Sequence, residues 1–494
     1  MLKKTYVENE VVVHISYEIA PYSKHGGLGD VVGALPKYMA KQGQPNLVVT
    51  PWHGKEMNVD EDNLELLLEF TVPYNGVFYP VKALVTSSSH YQTIFIKNDY
   101  FFNRDGIYHD EDGLPYSDSI AIVAFFGKAT YTLIGKLKIN CHHFLLHDWN
   151  STAILFYGTL KNSKAHYVIH NYRFHGIVNN ENIKHLEDTV QTALKFTFQN
   201  GSQISIGAYA VLHSNTTIAV SESYRQELIE NRALLHGNME VFTKIPDSSF
   251  IGIINGIDTD IWAPKLLNHN QIQDINSIVT HKQKNKLKLY QKYNQLDINK
   301  PLCLILSRLV EEKGVFYFCE KNGTLSEFHL AQLTELFQHT NVIACGLASG
   351  ENKLEVEKGF YEIMSRFHCN FLFINAYSDN LAQDLMLASD IFIFPALVEP
   401  CGLTQMYAMS YGSIPIVSPV GGLKDSVISE ERYPGKGTGY VMKDTSLNEI
   451  VRLVKVAVNS LNDSRGYFSL IRRIISTDYS WERRVRPYLD LVSK

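Results

Sequence analysis

The chain has 494 residues, of which 45% are hydrophobic and 20% charged, and its formal net charge is −5. That length exceeds a single hydrophobic core and predicts two or three domains of ordinary soluble composition. The acidic balance argues against nucleic acid as the main partner, and it suits a neutral polysaccharide while allowing a local cationic pocket. The residues from Met1 to Glu8 lack the apolar core of a signal peptide, and no run approaches the roughly 18 apolar residues of a membrane span. No membrane association is expected. Six cysteines (Cys141, Cys303, Cys319, Cys345, Cys369 and Cys401) show no CxxC spacing and read as reduced thiols of a cytoplasmic protein. His142 and His143 follow Cys141, but adjacent residues of a strand point to opposite faces, so no metal site is expected.

In chain order, the run 11–16 reads as a first strand, followed by Lys24, Gly26, Gly27, Gly29 and Asp30. Paired glycines let backbone approach a ligand, and the helix predicted after them (Val31, Val32, Leu35, Met39) points its N-terminus at the same place. The spacing is not GxGxxG, so a nicotinamide fingerprint is not supported. Lys24 is the informative residue, a mobile cation beside a glycine loop of the kind a diphosphate needs. Residues 47–50 predict a second strand, and residues 61–89 alternate strand-like segments with turns. Two further buried strands end in polar tips, one at His147, Asp148 and Trp149, the other at His170 and Asn171. Polar tips on successive strands fit the rule that open α/β sheets bind ligands at strand carboxyl ends. The run 217–221 predicts another strand, with 222–229 as its helix.

A turn at Asn255-Gly256 and a stretch rich in Asn, Gln and Lys up to Lys300 read as the linker, with the domain boundary near 250–265. Beyond Pro301, apolar runs at 302–306, 342–345, 371–374, 391–394 and 414–417 predict five strands of a second doubly wound sheet. Arg308 ends the first of these and Lys313 lies five residues on, a spacing that lets fork and point charge meet one phosphate pair. After the strand 391–394 comes Glu399, Pro400, Cys401, Gly402, Leu403, Thr404, Gln405, with a helix predicted from near Gly402. A strand, tight loop and helix place backbone amides toward an anion, with Glu399 able to accept hydrogen bonds from sugar hydroxyls. Gly421 and Gly422 close the set, and the chain ends in an amphipathic segment, 481–492.

These motifs together resemble those of bacterial glycogen synthases and plant starch synthases. KHGGLGD at Lys24–Asp30 is similar to the family's KxGGLGD, and FNRDGIY at Phe102–Tyr108 to its FxRxGIY. His147-Asp148-Trp149, His170-Asn171 and the run Ser307–Gly314 match its HDW, HN and SRLxxQKG segments. Glu399–Gln405 matches EPCGLTQ and Gly421–Asp425 resembles TGGLxD. The chain departs from that pattern at Asn150 (His is common), His175 and Glu312 (both Gln), Ser410 (a basic residue), Ser418 (Arg) and Val420 (Thr).

The resemblance implies an α/β fold of GT-B architecture, with two Rossmann-like doubly wound domains facing across a cleft. Residues 1–262 would form an N-terminal starch-synthase-type catalytic domain on the acceptor side, 263–475 a nucleotide-sugar-binding domain, and 476–494 a helix returning to the first. It implies retaining transfer of glucose from the nucleotide sugar ADP-glucose to the non-reducing 4-hydroxyl of an α-1,4-glucan such as glycogen, without a metal or other cofactor. Asp148, His170, Arg308, Lys313 and Glu399 are then the expected catalytic residues. Lys24, Gly26, Gly27, Asn171, Cys401, Gly402, Leu403, Thr404, Gly421 and Gly422 are expected to bind the donor. Two retaining routes stay open, covalent attack by a carboxylate or same-face attack with the leaving phosphate as base. The lack of an obvious nucleophile favours the second. Alternatives of other classes are a non-catalytic glucan-binding scaffold on the same fold and a phosphorylase, which is much longer and carries lysine-bound pyridoxal phosphate.

Overall fold

The structure, a computed structural model, describes residues 5–88, 90–110, 114–158, 163–198, 204–230, 239–263 and 275–493. It divides into two compact units, Met1–Gly256 with Trp481–Lys494, and Ile257–Ser480. The expected boundaries fell at 262 and 475. Packing moves the first, because the Trp262 ring stacks at 4.1 Å on Tyr407 and so belongs to the second unit. Packing also moves the second: Trp481 is buried against Gly256, where an added Cβ would come within 2.8 Å of the indole.

The first unit is built on nine strands: β1 (Val11–Ile15), β2 (Asn46–Pro51), β3 (Glu65–Tyr74), β4 (Val77–Ser87), β5 (Gln92–Lys97), β6 (Cys141–His147), β7 (Lys164–Ile169), β8 (Thr216–Ala219) and β9 (Phe250–Gly252). Their order is β3-β4-β5-β2-β1-β6-β7-β8-β9. All neighbours are parallel except the β3-β4 and β4-β5 pairs at one edge. Every residue of β1 and β2 is buried, the pattern of parallel strands covered on both faces. From β1 the chain moves first to β2 on one side and later to β6 on the other, so a topological switch point lies between β1 and β6. The helix Ser119–Leu137 is apolar and long enough to cross a bilayer, a feature at odds with the expectation that no run approaches a membrane span. Two-thirds of it (67%) is buried in the unit, as in a core helix.

The second unit holds six parallel strands: β10 (Leu302–Leu306), β11 (Asn341–Cys345), β12 (Phe371–Ile374), β13 (Ile391–Phe394), β14 (Ile414–Val417) and β15 (Tyr440–Val441), in the order β12-β11-β10-β13-β14-β15. Its switch point lies between β10 and β13. The five expected strands are present; β15, at two residues, is too short to leave a pattern.

The supposed linker is the larger correction, since Ile275–Lys292 is a helix of 18 residues. Residues 264–274, which belong to the same stretch, lie outside the described residues. Ile278, Lys282, Lys286 and Tyr290 recur every four residues, and a stripe half made of lysines does not read as apolar. Lys282 is nonetheless buried, its stem in the core and its Nζ donating to the carbonyls of Tyr411 (2.9 Å) and Met386 (3.3 Å). Burial lowers its pKa to about 7. Lys286 meets Asp390 at 2.8 Å, and the same carboxylate accepts the Leu302 amide, tying the helix to β10.

Candidate active site

At the switch point of the first unit, the loop after β1 is organised by Glu18, a buried residue absent from the expected site. Its Oε2 accepts the backbone N–H groups of His25 (2.6 Å) and Gly26 (2.8 Å), and its Oε1 accepts the Tyr108 hydroxyl (2.6 Å). The glycine loop is thus held in shape by a carboxylate beneath it. A Cβ at Gly26 would meet nothing within 4 Å, so that position opens to space. Lys24 lies against Asp30 of the following helix at 2.8 Å.

Asp148 ends β6 in a left-handed conformation, φ 58°, and its Oδ1 accepts the amides of His170 (2.7 Å) and Asn171 (3.2 Å). Asp148 is one of the expected catalytic residues, and here one of its oxygens clamps the loop after β7. Burial raises its pKa to about 7; the two amides oppose that rise more weakly, and the charge of the nearby Glu18 adds to it. His170 itself is joined to a chain of imidazoles. Nδ1 of His14 on β1 lies 3.1 Å from Nε2 of His147 on β6, and Nδ1 of His147 lies 3.0 Å from Nε2 of His170. Burial holds all three rings well below the usual imidazole range, with His14 and His170 lowered to about 3. They are neutral near pH 7. Neither His14 nor His147 is among the expected site residues; the available signal was a histidine inside the otherwise apolar β1 and another at the end of β6.

At the switch point of the second unit, residues 311–313 form one short turn, and the Leu397 amide donates to the Glu312 carbonyl at 2.8 Å. That bond ties the turn after β10 to the loop after β13. Arg308, Lys313 and Glu399 are thereby brought together. Lys313 Nζ donates to Glu399 at 2.7 Å, both half-buried, and the exposed Arg308 donates to Glu312 at 3.1 Å. Glu312, one of the departures from the family pattern, therefore neutralises a cation expected to hold phosphate.

The helix after Glu399 runs Thr404–Ser410, beginning two residues later than expected. Cys401, Gly402, Leu403 and Thr404 form the turn into it, locked by the buried Gln405, whose Nε2 reaches the carbonyls of Gly402 (2.8 Å) and Cys401 (3.3 Å) and the Ser426 hydroxyl. Gly421 and Gly422, expected to bind the donor, clear room for this turn: a Cβ at Gly421 would sit 2.1 Å from the Glu399 carbonyl oxygen, and one at Gly422 2.0 Å from that of Cys401. Gly421 also has φ +41°, so a larger residue there meets both a clash and strain.

Three of the other departures, His175, Ser410 and Ser418, are structural here. His175 is buried and bonded to Ser205 at 2.6 Å, and Ser410 donates to the Trp262 and Tyr407 carbonyls. Ser418 is fully buried with Met442 as its neighbour, so an arginine introduced there would enter packed core. Among the described residues no three His, Cys, Asp or Glu side chains converge as a metal site requires.

Two parallel α/β units, each with its polar groups at the switch point of its sheet, are those of a GT-B glycosyltransferase. The model of the starch synthase catalytic domain matches residues 11–240, and that of glycosyl transferases group 1 matches 288–466. The glycogen synthase of Flavobacterium johnsoniae is 31% identical over 97% of this chain and 98% of its own, and that of Alkaliphilus metalliredigens is 26% identical over the same shares. The catalytic domain of starch synthase IV from Arabidopsis thaliana, solved bound to ADP and acarbose, superposes with a TM-score of 0.83 at 26% identity, covering 98% of this chain and 99% of that one. Sucrose-phosphate synthase of Thermosynechococcus elongatus shares the fold alone, at 14% identity and a TM-score of 0.62 over 98% of each chain. The chain belongs to the glycogen synthase family, and its activity is that of a glycosyltransferase.

Proposed function

We propose that this glycogen synthase transfers glucose from ADP-glucose to the non-reducing 4-hydroxyl of an α-1,4-glucan with retention of configuration. The observation that carries the reading is the pairing at the carboxyl ends of β10 and β13, where Lys313 meets Glu399 and Arg308 meets Glu312 on loops pinned to each other. The ADP and acarbose bound to starch synthase IV favour adenine as the base and an α-glucan as acceptor. In the reaction the bond from the anomeric carbon to the diphosphate oxygen breaks, and negative charge gathers on the departing phosphate. Arg308 and Lys313 stabilise that charge, the task a divalent metal performs elsewhere. Glu399 accepts hydrogen bonds from the sugar hydroxyls, and His170 is read as a further donor to the transferred sugar. The acceptor hydroxyl adds on the face the phosphate leaves, and its proton passes to the phosphate oxygen, giving ADP and the lengthened glucan.

The test is release of ADP and of UDP from the corresponding glucose donors with glycogen present, with and without excess chelator. Faster ADP release, unchanged by chelator, is expected. Glucan binding with no nucleotide release from either donor would overturn the reading in favour of a non-catalytic scaffold, and activity restored only by added magnesium or manganese would remove the proposed role of the two cations.

A further inference from the structure

The imidazole chain in the first unit has a direction. Each ring presents its Nδ1 to the Nε2 of the next, from His14 on β1 through His147 on β6 to His170 after β7. The rings of His14 and His147 stack with centroids 5.4 Å apart, and those of His147 and His170 lie 5.3 Å apart. A neutral imidazole carries one N–H, and each of the two bonds needs one. Only two arrangements satisfy both bonds: every ring protonated on Nδ1, or every ring protonated on Nε2.

The far end of the chain chooses between them. Nε2 of His14 is buried and has no hydrogen-bond partner among the described residues. With protons on Nε2, that atom would be a buried N–H donor with no acceptor; with protons on Nδ1, it is a bare lone pair. Orphaned buried donors are the rarer defect in proteins, under-satisfied acceptors the more tolerated one. The arrangement with Nδ1–H throughout is therefore favoured, and it leaves His170 with Nδ1–H as its remaining ring donor.

We propose that His14 and His147 are positioning residues that lock His170 in its Nδ1–H tautomer, so that it offers a hydrogen-bond donor of fixed direction to an oxygen of the transferred sugar. The role given to His170 rests on the function proposed above. Burial keeps all three rings neutral near pH 7, so the chain is not scrambled by a second proton on any ring. The hydrogen bond made by one ring nitrogen is what sets the tautomer at the other.

The same sheet contains an internal control. His143 and His166, also on β6 and β7, make an equivalent bond, Nδ1 to Nε2 at 2.9 Å with rings stacked 5.2 Å apart, but this pair leads to none of the proposed site residues. If the longer chain were only packing, disturbing either set would have the same consequences.

The experiment compares His147→Phe, His147→Asn and His166→Phe with the unaltered enzyme. In His147→Asn the amide nitrogen takes the place of Nδ1 and keeps a donor toward His170. His147→Phe is expected to lower kcat by about tenfold or more with donor KM within about twofold, since a misdirected group harms the transition state more than binding. His147→Asn is expected to recover most of kcat, and His166→Phe to lower Tm while leaving kcat within about twofold. In parallel, 15N spectra of the histidine-labelled enzyme are expected to show His170 protonated on Nδ1 in the unaltered protein and in His147→Asn, and a tautomer mixture in His147→Phe. A proton on Nε2 of His170 in the unaltered protein overturns the proposal, and so does equal loss of kcat in His147→Phe and His166→Phe. If His147→Phe does not fold, the spectra of the unaltered protein and of His147→Asn still decide it. Retention of normal kcat by His170→Ala would instead bring down the reading of the site, and with it the catalytic half of the proposal, while the spectra continue to judge the chain of imidazoles.

Discussion

The polar groups at the two switch points solve opposite problems. In the first unit, apart from the Lys24–Asp30 pair, they are buried and neutral, or their hydrogen bonds are largely spent on backbone: three imidazoles in series, Asp148 holding two amides, and Glu18 holding two more. In the second unit they are ion pairs, each cation beside a carboxylate, with Arg308 exposed and Lys313 partly covered. The difference follows from solvation. A group that must keep one orientation gains from burial, because the surrounding strands leave it no other rotamer, and it tolerates burial when it carries no charge. Charges that must receive an anion stay near water, where their own desolvation is small and a carboxylate can be exchanged for phosphate.

The largest expected effect of this contrast is on acid stability. His14, His53, His143, His147, His166, His170, His175 and His213 of the first unit all have pKa values lowered by burial, whereas His329 is the one such group of the second unit among the described residues. A histidine with a depressed folded pKa adds stability that is fully present above its unfolded value of 6.5 and is lost as pH falls toward the folded value. At about pH 5 each fully neutral ring costs on the order of 2 kcal/mol. Asp148 works the other way. Its folded pKa of about 7 lies above the ordinary 3.8, so it adds stability as pH falls through that window, but it is one group against eight. Scanning calorimetry at pH 7 and pH 5 should therefore show the first unit's transition falling well ahead of the second's, and a parallel fall of both would break the comparison.

The next effect is catalytic and belongs to the second unit. Arg308→Ala and Lys313→Ala should each lower kcat by on the order of 10²-fold while Tm changes little, the scale expected for one lost preorganised charge. Near-normal kcat in a folded variant would show that the leaving diphosphate is stabilised elsewhere. The smallest effect tests the exchange of partners. Glu312→Gln removes the carboxylate beside Arg308, so donor KM should fall about two- to fivefold with kcat unchanged, the range for an exposed ion pair. An unchanged KM would mean that Glu312 does not compete with the donor.

Much of this was legible locally. The buried strands β1, β2, β10 and β13 announce themselves as apolar runs, and the cations and glycines stand in the loops that follow them, because strand and turn formation depends on residues a few positions apart. Sequence alone therefore determined two doubly wound sheets, their order along the chain and the loops that carry the chemistry. Tertiary structure decided what those residues do. His14 and His147 lie 133 positions apart and meet only because β1 and β6 are neighbours in the sheet. Gly421 and Gly422 read as room for a ligand until the carbonyls of Glu399 and Cys401 are found there. The helix Ile275–Lys292 read as linker because the lysine that completes its buried stripe is acceptable only where the carbonyls of Met386 and Tyr411 receive its Nζ. A residue's partners across the fold depend on contacts that no local spacing encodes, and they set whether a buried polar group is tolerated, neutral or charged.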